Sequence, residues 1–177
     1  MPLPKAYAWL ASEPGPKMLV EALKLYGTRE TAGAGNTPAI MEWARETGGD
    51  VARVYSADSV PWCGLFAAII AKRAGKSLPA SPLWARAWAT WGDRSPRASL
   101  GDVLVFVRPG GGHVGLYVGE DASAYHVLGG NQGDAVSIVR IAKSRCIAAR
   151  RSYAIAAPAN VRVVRLASTG RVSKNEA

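Results

Sequence analysis

The sequence predicts a single α+β domain, and three observations lead there. Apolar residues recur at three- and four-residue spacing through the first half, and the period turns to alternation near residue 100. A length of 177 residues with 49% hydrophobic content is enough for one good core and too little for two enzyme domains. Residues 1–160 are expected to form the domain, and 161–177 a basic, flexible tail. No apolar run approaches the roughly 20 residues of a membrane helix.

The first helix is expected from Pro16 to Tyr26, where Met18, Leu19, Ala22, Leu23 and Tyr26 share a face and Pro16 suits a first turn. Thr28 to Asn36, rich in Gly and Thr, reads as a loop. A second helix begins at Pro38, capped by Asn36 or Thr37, and runs to about Thr47 before Gly48-Gly49. Asp50 to Pro61 is less regular. From Cys63, the positions Phe66, Ile69, Ile70 and Ala74 give a buried helix that Gly75 stops. Leu83 to Trp91 reads as a short Trp-rich helix.

Beyond residue 100, strands are expected at Val103–Val107, His113–Val118, Ala124–Leu128 and Ala135–Ile141, with a turn at Pro109-Gly110-Gly111-Gly112. Ser152 to Ala156 is a candidate to close the sheet.

The formal charge of +9 suits an anionic partner, whether nucleic acid, phospholipid or an acidic wall polymer. Zinc-ligand spacing, a basic-aromatic RNA signature and a basic region leading into heptads are all missing, so no nucleic-acid partner is expected. Met1 to Ser12 lacks the apolar stretch of a secretory signal, which implies synthesis in the cytoplasm without a signal peptide. Cys63 and Cys146 sit in unlike surroundings, and no disulfide is expected.

Cys63 stands where Pro61-Trp62 meets a helix N-terminus, whose free N–H groups and dipole favour a thiolate. On residue type alone an inert buried cysteine is the favoured reading. His113 opens a strand on which Val114, Leu116 and Val118 point one way and His113, Gly115 and Tyr117 the other. A cysteine and a histidine about fifty residues apart can meet only by tertiary folding, as in thiol hydrolases. The base needs a polar group to fix its tautomer, and Asn131 is the candidate, with His126 in reserve. Trp62 and Gln132 flank the expected centre as candidate substrate-binding residues, although a tryptophan there also reads as core.

The runs Val60-Pro61-Trp62-Cys63-Gly64-Leu65-Phe66, Leu100-Gly101-Asp102-Val103-Leu104-Val105-Phe106, Gly112-His113-Val114-Gly115-Leu116-Tyr117-Val118-Gly119 and Leu128-Gly129-Gly130-Asn131-Gln132 resemble, in order and spacing, those of the CHAP family of cysteine, histidine-dependent amidohydrolases and peptidases. These are cousins of the NlpC-type peptidases. The resemblance spans about residues 17 to 155. It implies a papain-like fold, with N-terminal helices packed on a C-terminal antiparallel sheet. It also implies cleavage of a peptidoglycan amide through an acyl-enzyme, as in phage endolysins, by a stem-peptide or cross-bridge endopeptidase or an N-acetylmuramoyl-L-alanine amidase. By position, Cys63 becomes the nucleophile, His113 the base and Asn131 the orienting group. One departure stands out: many CHAP enzymes carry an acid two places before that asparagine, where this chain has Gly129. Asp50 and Asp58 do not form the calcium loop of some relatives, so no metal or cofactor is expected. The expected partner is bacterial peptidoglycan, met by a monomer whose basic surface contacts the anionic envelope after release or injection. The competing readings are an inactive wall-binding or virion structural protein and a papain-like thiol acyltransferase.

Overall fold

The computed structural model describes residues 1–33 and 35–176, so that Ala34 of the expected Thr28 to Asn36 loop and the terminal Ala177 lie outside it. The chain is α+β. Four α-helices, α1 (Lys17–Lys24), α2 (Pro38–Thr47), α3 (Gly49–Val54) and α4 (Cys63–Arg73), precede a seven-stranded sheet. The strands are β1 (Asp93–Arg94), β2 (Val103–Arg108), β3 (Gly111–Glu120), β4 (Ala124–Gly129), β5 (Ser137–Ala142), β6 (Cys146–Arg151) and β7 (Val172–Ser173). Their order in space is β1-β6-β2-β3-β4-β5-β7, with every pair antiparallel except β5 and β7. Among the described residues no helix is long and apolar enough to cross a membrane.

Helix α4 is apolar on all sides because it is buried on all sides: every residue from Cys63 to Ala71 is enclosed. Leu65, Phe66, Ile69 and Ile70 lie wholly out of solvent, each worth about 1.5–3 kcal/mol by area. Its last turn carries Lys72 and Arg73, suited to the negative end of the helix dipole. They also reach α2, Lys72 Nζ donating to the Thr47 carbonyl at 2.9 Å and Arg73 pairing with Glu46. Gly64 lets this helix touch another segment of backbone, for a β-carbon at that position would fall on the Leu83 carbonyl.

The sheet separates two cores. Val103, Val105, Val114, Leu116 and Val118 face the helices, while Leu104, Phe106, Tyr117, Val127 and Ile141 form a second cluster on the opposite face. Asp102, in the second of the sequence runs, is a structural anchor: it accepts from Ser95 Oγ at 2.7 Å and pairs with Arg151 at 2.6 Å, fixing β2 against the segment beside β6.

Several elements differ from expectation. Asp50 to Pro61 contains α3, and the Trp-rich segment is a 3₁₀ helix over Ala85–Thr90. A further 3₁₀ helix, Lys5–Ser12, precedes α1. On the side away from β3, β2 pairs with β6, Cys146–Arg151, and Ser152 to Ala156 forms no strand. In β6 Ile147, Ala148 and Ala149 are adjacent and Arg150 and Arg151 follow, so the two-residue period that marks a strand is hidden. The segment expected as a flexible tail is laid along the sheet. Arg162 O accepts from Leu100 N, Glu120 N donates to Val164 O, and β7 pairs with β5.

Candidate active site

Cys63 occupies the first turn of α4, where Trp62 is the N-cap and supplies no side-chain cap. The backbone N–H groups of Cys63 and Gly64 act on the sulfur, and so does that of Val114 on β3, one residue beyond His113. Strand alternation sends Val114 toward the helix-side core and the His113 ring to the face that carries its cross-strand partner Phe106. Cys63 and His113 are thus both close to Val114, the sulfur facing its N–H and the histidine preceding it in β3, but the two side chains lie toward opposite faces of the sheet. Among the described residues the thiol and imidazole share no direct hydrogen bond; catalytic hydrogen bonds often tighten only when substrate binds.

Burial works against the expected thiolate. Burial pushes the Cys63 thiol above its ordinary range, outweighing the three N–H groups and the charge of Arg108, which pull it down. Desolvation also dominates at His113, lowering its pKa to about 4, against an opposing pull from Glu176 and the Gln132 hydrogen bond. The resting pair is thus a neutral thiol and a neutral imidazole.

The ring is oriented by Gln132, not by Asn131. His113 Nε2 lies 3.0 Å from Gln132 Oε1. The Gln132 amide nitrogen donates to the carbonyls of Ser137 at 2.6 Å and Val127 at 3.2 Å. With that end committed to acceptors, its oxygen must face the imidazole, so Nε2 carries the proton and Nδ1 keeps a lone pair. Asn131 has a φ of 56°, and its role is to turn the backbone after β4 so that Gln132 points at the ring. Gln132 is 4% exposed and so held that it does not line a substrate groove. Trp62 likewise is core: it is wholly buried, donates from Nε1 to Glu30 at 2.8 Å and packs on Trp43.

His126 belongs to another network. Its Nδ1 is 2.6 Å from the Tyr7 hydroxyl and its Nε2 3.0 Å from Asp121, which also accepts from Arg140 Nε at 2.7 Å. Both ring nitrogens are engaged, which removes it as the reserve group for Cys63.

A groove of about 600 Å³ runs to Cys63 past Pro61, Trp84, Arg86, Arg108 and Gly112. His113 does not line it. The C-terminal segment approaches from the other side of Arg108, whose Nη1 donates to Asn175 Oδ1 at 2.7 Å, while the buried Glu176 pairs with Arg145 at 2.7 Å. Sequence reading missed Arg86, Arg108 and Glu176, because isolated charges carry no spacing signal. Among the described residues no three of His, Cys, Asp and Glu are grouped to hold a metal ion. No protein-family model, curated protein or solved structure matches the chain.

Proposed function

We propose that the protein is a cysteine-dependent hydrolase with a papain-like catalytic arrangement that cuts an amide bond of bacterial peptidoglycan, in the manner of an endolysin. The observation that supports this reading is a groove-lining Cys63 at a helix N-terminus whose sulfur faces the N–H of Val114, the residue after a His113 held by Gln132. The resemblance of the four sequence runs to the CHAP family supplies the substrate class.

With both groups neutral at rest, His113 acts as a general base during attack. The scheme requires the margin of β3 to shift so that Nδ1 reaches the sulfur; Nδ1 then takes the Cys63 proton as sulfur bonds to the amide carbonyl, and the oxyanion is held by N–H groups at the start of α4. Collapse breaks the C–N bond, and the imidazolium returns its proton to the departing amine. Water, deprotonated by the same nitrogen, then cleaves the thioester and regenerates the thiol. Gln132 holds the ring throughout, and the negative charge of Glu176 favours the transient imidazolium. No metal or cofactor is needed in this scheme. A monomer, attracted to the anionic envelope by its basic surface, would act at the wall.

The enclosure of His113, which is 1% exposed, favours one second reading: an inactive wall-binding or virion structural protein that keeps the frame. Incubating wild type, Cys63→Ala and His113→Ala with purified peptidoglycan separates the two. New amine ends and soluble fragments, detected by mass spectrometry only for the wild type, are expected. Equal release by Cys63→Ala would sink the enzyme reading, and binding to walls without any release would favour the second.

A further inference from the structure

Resting on the thiol hydrolase reading above, we propose that Arg86 and Arg108 form a carboxylate-binding subsite, so that the preferred substrate carries a free carboxylate about one residue from the amide that Cys63 attacks.

Both arginines converge on Gly112. Arg108 Nε donates to the Gly112 carbonyl at 3.1 Å, and Arg86 Cγ lies 3.0 Å from where a β-carbon at position 112 would stand. The missing side chain at Gly112 leaves room for the Arg86 stem against the strand whose carbonyl Arg108 holds. Gly112 precedes Val114 by two positions, and the Val114 N–H faces the sulfur. At roughly 3.3 Å per residue the convergence lies roughly 7 Å along the strand from the nucleophile. That is about the reach of one residue.

Among the described residues neither Arg86 nor Arg108 forms an ion pair, while Glu176, the acid of the adjoining C-terminal segment, is paired with Arg145. The only side-chain acceptor described for Arg108 is the neutral amide of Asn175. No described residue lining the groove is acidic. Two guanidinium groups at the wall of a groove, next to apolar Pro61 and Trp84, suit a carboxylate on a partly apolar chain. A neutral chain of the same shape would leave both charges unanswered.

The test reads the subsite without requiring hydrolysis. N-iodoacetyl-glycine and N-iodoacetyl-glycinamide share one reactive group and differ only in the charge at the far end. Alkylation of Cys63 in the full chain is followed by peptide mapping, which separates it from Cys146. The acid should modify Cys63 about tenfold faster than the amide at low salt, with the preference shrinking as salt rises. The double variant Arg86→Gln, Arg108→Gln should bring the ratio close to one, and Arg108→Lys should retain most of it, which guards against a folding defect in the glutamine variant. A ratio near one in the wild type, a ratio unchanged in the double variant, or a Cys63 that takes neither reagent at pH 9 would overturn the proposal. A clear acid preference without peptidoglycan cleavage leaves the subsite standing and removes the hydrolase reading; cleavage with a ratio of one does the reverse.

Discussion

The two histidines, His113 and His126, stand on adjacent strands, each 1% exposed, yet their surroundings suit opposite tasks. His126 is closed off chemically: Tyr7 occupies one nitrogen and Asp121 the other, and Arg140 completes the set before donating on to the Gly170 carbonyl at 2.6 Å. That chain of contacts ties the N-terminal 3₁₀ helix and the C-terminal segment to the middle of the sheet. His113 has one nitrogen fixed by a neutral amide and the other left with its lone pair. Burial is the same for both; what differs is the number of ring nitrogens committed to partners.

The comparison can be broken most sharply by deleting each ring. His113→Ala should lower peptidoglycan hydrolysis by roughly 10²–10⁴-fold, the range expected for losing a general base, and should shift the urea midpoint less than His126→Ala at neutral pH, because one ring nitrogen is committed instead of two. His126→Ala should show the converse, and similar midpoints for the two variants would erase the distinction. Next in size is Asp121→Ala, which leaves Arg140 buried without its carboxylate and should cost about 3–5 kcal/mol of unfolding free energy. A loss under about 1 kcal/mol would mean the network holds little together.

Acid titration sharpens the same contrast. His113 has an ordinary pKa of 6.5 and is held at about 4 in the fold. The unfolded chain therefore binds a proton first as pH falls. The stability associated with the neutral ring is full above pH 6.5 and lost between there and pH 4, amounting to about 3 kcal/mol. Burial lowers His126 in the same direction. Unfolding free energies at pH 7 and pH 4 should thus differ by more in the wild type than in His113→Gln, and equal differences would contradict the assignment. The smallest effect concerns the turn after β4. Gln132→Ala should reduce kcat by roughly 10–100-fold by freeing the tautomer, whereas Asn131→Gly, which accepts the left-handed backbone, should stay within about twofold. The opposite ranking would restore Asn131 as the orienting group.

Much of this arrangement was legible in the sequence. The spacing of Phe66, Ile69 and Ile70 marked α4, and the alternation through Val114, Leu116 and Val118 marked β3, which carry the expected Cys63 and His113 respectively. What could not be read depended on register and solvation. Asn131 and Gln132 are neighbours, and only the positive φ at Asn131 decides which side chain meets His113. The helix N-terminus suggested an acidic thiol, but pattern alone does not reveal how completely the sulfur is enclosed. Strand β6 escaped notice because its basic residues interrupt the alternation, and the C-terminal segment reads as loose because its anchors, Arg145 with Glu176 and Arg140 with Gly170, are far apart in the chain.

The contact of Gly64 with the Leu83 carbonyl has a consequence for how this groove could change over generations. One wall rests directly on the backbone of the helix that presents Cys63, with no side chain between them to be shortened or lengthened. The width at the sulfur is therefore inherited from main-chain geometry. Even a methyl group at position 64 would displace the wall and the nucleophile together. New preferences for bulk or charge would have to arise farther out, at Trp84 and Arg86, where a substitution can alter the groove while the end at Cys63 keeps its shape.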